Sequence, residues 1–328
     1  MSRGGRALII ASPFLAAVWA LFSGALGLSV PETLMHLRGW LRGEESRAIL
    51  VLIDIRLPRI ILAGLVGVAL AVSGASLQAV LRNPLVDPFI LGISSGAAFG
   101  CAISIAFLPA CPLPVSSFAF GSLAVFISYN LARSGGEISR LNLVLAGVVV
   151  SSFFSALLSL IKFLVEPLKL QSIVYWLMGS FSLADWASTR SAGLGILLGI
   201  IPVWALKWHL NVLSLGAQEA KALGVNVALL RIVIISASTL AVTSSVAVSG
   251  IIGWVGLMTP HLTRMMIGPD HKKLLPYSMA LGAAFMISAD TIARNISGFD
   301  FPVGIITALA GAPFFIFLLK RSGRGNWN

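Results

Sequence analysis

Apolar residues run along this chain in blocks of about twenty, broken by short polar loops, and the blocks predict a bundle of membrane-crossing helices. Ten stand out: 7–29, 58–81, 92–110, 114–132, 141–164, 188–206, 229–249, 251–267, 274–293 and 303–320. A membrane helix needs roughly 20 apolar residues, whereas barrel strands would alternate over about ten. The blocks near 92 and 251 are the shortest or most polar. The fold class is therefore an all-α polytopic membrane protein, with a single transmembrane domain over 1–328. Small residues recur at spacings of three and four, as Gly64, Gly67, Ala71, Gly74 and Ala75, and again as Gly304, Ala308, Gly311 and Ala312. That spacing places them on one helix face, where backbones can approach closely.

Two stretches fall outside the blocks. Residues 30–55 carry Trp40, Arg42, Glu44, Glu45 and Arg47 and read as an interfacial helix and loop. Residues 165–187 carry Tyr175, Trp176 and Trp186, aromatics at the spacing of an interface belt, and predict a short helix lying in the interface.

Composition closes off alternatives. The chain is 57% hydrophobic and 11% charged with mean hydropathy +0.95, while a soluble domain carries about 25% charged residues. The net charge of +11 sits in short loops, so it reads as the positive-inside rule and not as a nucleic-acid surface. With the N-terminus inside, fourteen of the 23 Lys and Arg and a net +10 fall on the cytoplasmic side, leaving +1 outside. Both termini are then cytoplasmic, and the chain is a multi-pass protein of the cytoplasmic (inner) membrane. The first apolar run is longer than the 7–15-residue core of a signal peptide and reads as a retained span. Cys101 and Cys111 lie in or beside one apolar block and read as packing residues. No phosphate-cradling G-x-x-x-x-G-K-[ST], HExxH, CxxC or GxSxG occurs. The expectation is a non-enzymatic chain that binds no cofactor or metal of its own.

Four constellations carry candidate function. Arg56, Arg59 and Arg294 form an outer charge set, with Asp290 one helical turn before Arg294 and able to pair with it. They read either as snorkelling arginines or as acceptors of acidic residues on an external partner. Lys162 and Lys169 flank the end of the fifth block. On the inner side, Asn83-Pro84-Leu85-Val86-Asp87-Pro88 leads into Ser94-Ser95-Gly96, a structural cap or part of a translocation path. The loop 208–230 holds the helix-favouring run Gln218, Glu219, Ala220, Lys221, Ala222 and Leu223, closed by Gly224 as a C-cap. It reads as a connector or as a docking knob, in which small Ala217, Ala220 and Ala222 would enter a partner's groove. Finally, Gly250 to Arg264 is an interrupted span. Pro260 removes a helix hydrogen bond, and His261 is a proton or ligand group or a helix-end residue bonded to a neighbouring loop.

In this order the constellations resemble the FecCD-type permeases, the membrane subunits of ABC importers for iron–siderophore, haem and vitamin B12. The resemblance rests on RLPR (56–59), SGASLQAVLRNPLVDPFILGISSGA (73–97), LAGV (145–148), YWLMGSF (175–181), LGAQEAKALGVNV (215–227), GWVGLMTPHLTR (253–264) and FPVGIITALAGAPFFIFLLK (301–320). It implies ten helices, with helices 2–5 and 7–10 as an inverted repeat, and a count of ten spans agrees. It further implies alternating access around a path shared with a second permease, identical or related. Two cytoplasmic ATPases would hold ATP and Mg, and an external binding protein would deliver the substrate. Gln218 to Gly224 match the coupling helix, and Arg56, Arg59 and Arg294 match arginines that meet glutamates of the binding protein. The turn from Asn142 to Gly147 aligns with the cytoplasmic gate. Iron–siderophore or haem is the expected substrate class, with cobalamin or an oxyanion as alternatives. A secondary transporter would also show ten spans but would more often carry intramembrane acids. Asp290 is the sole acid deep in a block here.

Overall fold

The computed structural model describes residues 3–24, 30–40, 42–43, 46–134, 137–296 and 301–322. Glu44, Glu45 and the end of the first predicted span, 25–29, lie outside the described residues. The described chain is helical apart from a two-residue antiparallel ribbon, β1 (Arg133–Ser134) with β2 (Glu137–Ile138).

Ten helices correspond to the ten predicted blocks. They are α1 (Arg3–Phe22), α4 (Leu57–Leu81), α5 (Ile93–Phe107), α6 (Leu113–Ala132), α7 (Arg140–Leu164), α9 (Trp186–Ala205), α12 (Val227–Ser249), α13 (Val255–Ile267), α14 (His271–Ile296) and α15 (Val303–Ser322). Between them lie the short helices α2 (Val30–Trp40), α3 (Arg47–Leu50), α8 (Pro167–Leu177), α10 (Lys207–Leu215) and α11 (Ala217–Ala222). Among the described residues, six segments are long and apolar enough to cross a membrane by length and composition, while Ile93–Phe107 and Val303–Leu318 are shorter apolar helices.

Two boundaries differ from expectation. The second predicted span begins at 58, but a helical path already starts at Arg47 and reaches α4 through a π-helical turn, Val51–Arg56. The wider turn, closed by the Leu57 amide on the Leu52 carbonyl, accommodates Pro58, which has no N–H to donate. The uninterrupted segment Arg47–Leu81 has 35 residues, about 50 Å of helix against a hydrocarbon layer of about 30 Å. The eighth block starts as extended chain: 250–254 is not helical, and Trp254 takes a left-handed φ of 73°.

α4 is apolar all round and buried, as a helix at the centre of a bundle should be. It packs against α9, α12, α13 and α14. Gly64 meets Ile287, Gly67 meets the Gly282 carbonyl and Arg59 meets Asp290, so α4 and α14 run antiparallel. A side chain at Gly67 or Gly74 would collide with backbone, of Gly282 and Gly256 respectively. The small-residue stripe read from the sequence is thus the seam between α4, α13 and α14. The neighbours repeat under exchange of the two groups of four: α4 packs on α12, α13 and α14, and α12 on α4, α5 and α6. A second seam, α5 on α6, joins Gly96 and Gly100 to the backbone of Phe120 and Ser116, and Phe99, Phe120 and Phe154 stack beside it. Cys101 is fully buried, and both cysteines are free thiols.

Of the predicted aromatic belt, Tyr175 is exposed and Trp176 and Trp186 are half-buried, and the segment is also fastened to the bundle. Trp186 Nε1 donates to the Ile53 carbonyl in the π turn at 3.1 Å, and Gly250 packs on the Trp176 carbonyl. Lys169 Nζ donates to the Ala106 carbonyl at 3.0 Å, capping the C-terminal turn of α5. Lys162 is half-buried on the last turn of α7.

Candidate functional site

Candidate functional groups collect at the two ends of the bundle. One end brings together the C-terminus of α1, the N-termini of α4 and α9, and the C-termini of α12 and α14. The charge count makes it the outer end. The other joins the C-termini of α4, α6 and α13 with α10, α11 and the N-termini of α7 and α14.

At the outer end Arg59 grips Asp290. Its Nε lies 3.1 and 3.0 Å from the two carboxylate oxygens, and Nη2 is 2.9 Å from Oδ1. Arg294 approaches the same carboxylate at 3.5 Å, the i, i+4 pair expected from the sequence, and donates to the Ala20 carbonyl at 3.1 Å. Arg56 Nη1 donates to the Leu21 carbonyl at 2.7 Å. Two guanidiniums therefore satisfy the last carbonyls of α1, where cations also suit the helix dipole. Three guanidiniums and one carboxylate leave this cluster at a net +2. Arg56 and Arg59 are only 4% and 6% exposed, and Asp290 1%. Sequence reasoning pictured these arginines facing outward; in the folded chain they fasten α1, α4 and α14 together. The one acid deep in a helix is neutralised by Arg59 and is not a free ion-coupling group.

Between α5, α8 and the C-terminal end of α12 opens a cavity of about 520 Å3 lined by Gln171, Tyr175, Ser180, Ser182 and Ser249 among others. It was not legible in the sequence, because its walls come from four stretches far apart in the chain, at 105, 113, 171–183 and 248–249.

At the inner end, the turn after α4 is tightly determined. Arg82 is left-handed, Asn83 Oδ1 accepts from the Leu85 amide at 2.9 Å, and Asp87 Oδ1 caps the 3₁₀ turn Pro88–Leu91 through the Phe89 amide at 2.9 Å. Pro84 is half-buried within it. Removal from water pushes the Asp87 carboxyl up to about 6, against the opposing pull of that amide. Gly92 then starts α5 from a left-handed φ of 89°, and Ser95 Oγ donates to its carbonyl at 3.1 Å, with Ser94 beside it in the first turn. Two neighbours hold the turn: Ser128 Oγ donates to the Leu91 carbonyl, and Gly147 in α7 lies against the Ile90 carbonyl. Asn142 sits half-buried one turn earlier on α7. These contacts give Asn83, Asp87 and Ser95 capping roles.

In α13, Thr259 and Thr263 hydroxyls bond back to carbonyls one turn earlier, on either side of Pro260. His261 is 6% exposed, and its ring packs between Phe314 and Phe315 of α15 at 6.2 and 6.0 Å. The irregular segment ahead of α13 is held from outside, Gly311 lying on the Trp254 ring.

The predicted short helix forms as α11, and Gly224 follows it at φ 77° with its amide on the Lys221 carbonyl. Gln218, Glu219, Lys221, Ala222, Leu223 and Gly224 are exposed. Ala220 is not: at 0% exposure it faces inward. Its small size serves packing within the chain, and the expected entry of Ala220 into a partner's groove is corrected accordingly.

Sequence reasoning missed what anchors this knob. Asn211 on α10 donates through Nδ2 to Asp270 Oδ1 at 2.7 Å and accepts through Oδ1 from the His271 amide at 2.8 Å. The His271 ring nitrogen Nδ1 also lies 2.8 Å from that oxygen. The Asn211 side chain holds the Asp270 carboxyl below the usual range. One amide thus clasps α10, which carries α11, to the start of α14, while Arg264 Nη2 bonds Gln78 Oε1 at 3.0 Å and ties α13 to α4. Among the described residues no three His, Cys, Asp or Glu side chains gather as a metal site.

The profile of the FecCD transport family matches residues 10–321. The chain belongs to the FecCD transport family. Among the FecCD relatives, a Helicobacter pylori protein named "Probable iron chelatin transport system permease protein" is 43% identical over 96% of this chain and 97% of its own. The molybdate import system permease protein MolB of Haemophilus influenzae is 42% identical over 96% and 94%. A solved transporter of the metal-chelate ABC type in an inward-facing conformation superimposes with a TM-score of 0.86 at 40% identity, covering 97% of this chain and 98% of that one. This chain is therefore a helical permease of the FecCD ABC importers.

Proposed function

We propose that the chain walls the path of an ATP-driven importer of a metal chelate, with iron chelates the first candidates. It would work beside a second permease copy, on two cytoplasmic ATPase subunits that hold ATP and Mg, and beneath an external binding protein. The observation that carries this reading is α11. It is a six-residue knob exposed on the side the charge count makes cytoplasmic, yet clasped through Asn211 to the helix that ends in the outer arginine cluster. An ATPase moving α11 would pull on α14, which reaches the opposite end at Asp290 and Arg294. The 520 Å3 cavity at the C-terminal end of α12 is the proposed outer vestibule. The net +2 of Arg56, Arg59 and Arg294 with Asp290 would attract carboxylates of the binding protein. Iron-chelate reading and relatives fit together, since 43% identity spans nearly the whole of a relative named for iron chelatin.

The test is uptake by vesicles holding the permease with its ATPase and binding protein. Radiolabelled iron chelate should accumulate with ATP, and Leu223→Glu should abolish uptake while leaving folding intact, since Leu223 is 56% exposed. Undiminished uptake by that variant would remove α11 from the mechanism. The similarity to MolB favours one second reading, an oxyanion substrate. Molybdate uptake without chelate uptake by the same vesicles would establish it instead.

A further inference from the structure

A groove of about 440 Å3 runs between α6 and α12 on the flank of the bundle. Its walls are largely apolar: Phe118, Val125 and Phe126 face Ile232, Ile235 and Leu240. Phe126 and Ile232 are 66% and 43% exposed, so the groove opens outward. At its inner end the chemistry changes. Tyr129 and Asn130 line the mouth; Arg133 stands one helical turn beyond Tyr129, and Arg231 directly precedes the lining residue Ile232. Arg133 follows the last residue of α6, and Arg231 lies in the first turns of α12, next in the chain after α11.

The length of the groove is informative. From Arg231 to Leu240 along α12 is about 14 Å, and from Asn130 to Phe118 along α6 about 18 Å. The hydrocarbon layer is about 30 Å thick, so the apolar part is one leaflet deep. Its cationic end lies where the charge count places the cytoplasmic surface. That leaflet carries the anionic lipids, and basic pockets between helices on that side bind their headgroups.

We propose that this groove holds an anionic glycerophospholipid of the cytoplasmic leaflet. The phosphate sits at the mouth by Arg133, Arg231 and the Tyr129 hydroxyl, and one acyl chain lies between α6 and α12. An apolar groove alone would take any acyl chain; the paired guanidiniums and the phenol select negative charge. Because Arg231 stands on the helix that follows α11, the lipid would brace the base of the knob.

Native mass spectrometry of the assembled transporter tests this, with phosphatidylglycerol titrated against phosphatidylcholine of the same acyl chains. The wild-type complex should retain phosphatidylglycerol in preference. Arg133→Gln with Arg231→Gln should weaken that retention about thirtyfold, at about fivefold for each charge, while Arg133→Lys with Arg231→Lys keeps most of it. Ser236→Trp, at an exposed groove position, should displace the lipid with both charges in place. Equal retention of the two lipids would overturn the proposal, as would phosphatidylglycerol binding untouched by Ser236→Trp. So would a Ser236→Cys thiol that resists labelling in the delipidated complex, since a protein surface would then cover the groove.

Discussion

The outer and inner ends of this bundle treat polar side chains in opposite ways. At the outer end, Arg56, Arg59, Arg294 and Asp290 are drawn inside and spent on one another and on the carbonyls of α1. At the inner end, α11 stands in the open, and a neutral amide, Asn211, holds it from behind. The outer end therefore gains rigidity from charge, whereas the inner end keeps a surface for contact and confines the fastening to one side chain. A part that must receive force needs exposure and a stiff root, and α10–α11 has both.

The largest effect should come from breaking the outer cluster. Asp290→Ala leaves Arg59 buried without its carboxylate, a loss of about 3–5 kcal/mol, to be read as a collapse of the thermal unfolding midpoint of the purified permease. Replacing the pair together, as Arg59→Met with Asp290→Leu, should restore most of that midpoint, because a buried ion pair exchanged for apolar side chains of similar volume is often neutral. The restored variant then isolates docking from folding: a binding protein that needs Arg59 will bind it weakly and with altered salt dependence.

A smaller effect is expected at Asn211. Asn211→Ala removes the hydrogen bonds of the clasp to Asp270 and His271 and costs about 1–3 kcal/mol. The informative readout is the ratio of transported substrate to ATP hydrolysed, which should fall further than stability does. A variant that loses stability alone would leave the clasp a merely local brace.

The smallest effect is a pH dependence at the inner turn. Asp87 in the folded chain titrates near 6, above its unfolded value of 3.8. The stabilisation is therefore complete below the unfolded value and is lost as pH rises through 6. Asn caps a helix as well as Asp and carries no charge. Asp87→Asn should accordingly match wild type at pH 4 and gain on it between pH 5 and 7, a divergence that paired unfolding curves would reveal.

The helices were legible because each is a local pattern, twenty apolar residues between polar breaks, and Gly224 announced the end of α11 by its own chemistry. What escaped was non-local or conformational. Asn211 carries no signature, since its partner Asp270 lies 59 positions on. The π turn before α4 sits in a mostly apolar run, 47–56, whose Arg47, Asp54 and Arg56 set it apart from the block that starts at 58 and hide a helix already under way. Ala220 and Ala222 look alike in sequence, yet one is buried and the other exposed, which depends on how α11 lies against α12. The outer arginines were found, but their inward direction follows from Asp290, α1 and α14 meeting in space.

The Arg59–Asp290 pair also sets a schedule for biogenesis. The two residues are separated by 231 positions, and each charge alone costs at most about 2.5–3.5 kcal/mol, the value at the centre of a lone inserted helix. At ribosomal speeds of about 5–20 residues per second, α4 waits on the order of 10–50 s for α14 to emerge. During that interval the nascent second helix carries an unpaired guanidinium in the bilayer. Chains truncated before α14 would be left with that liability and become natural targets for membrane quality control.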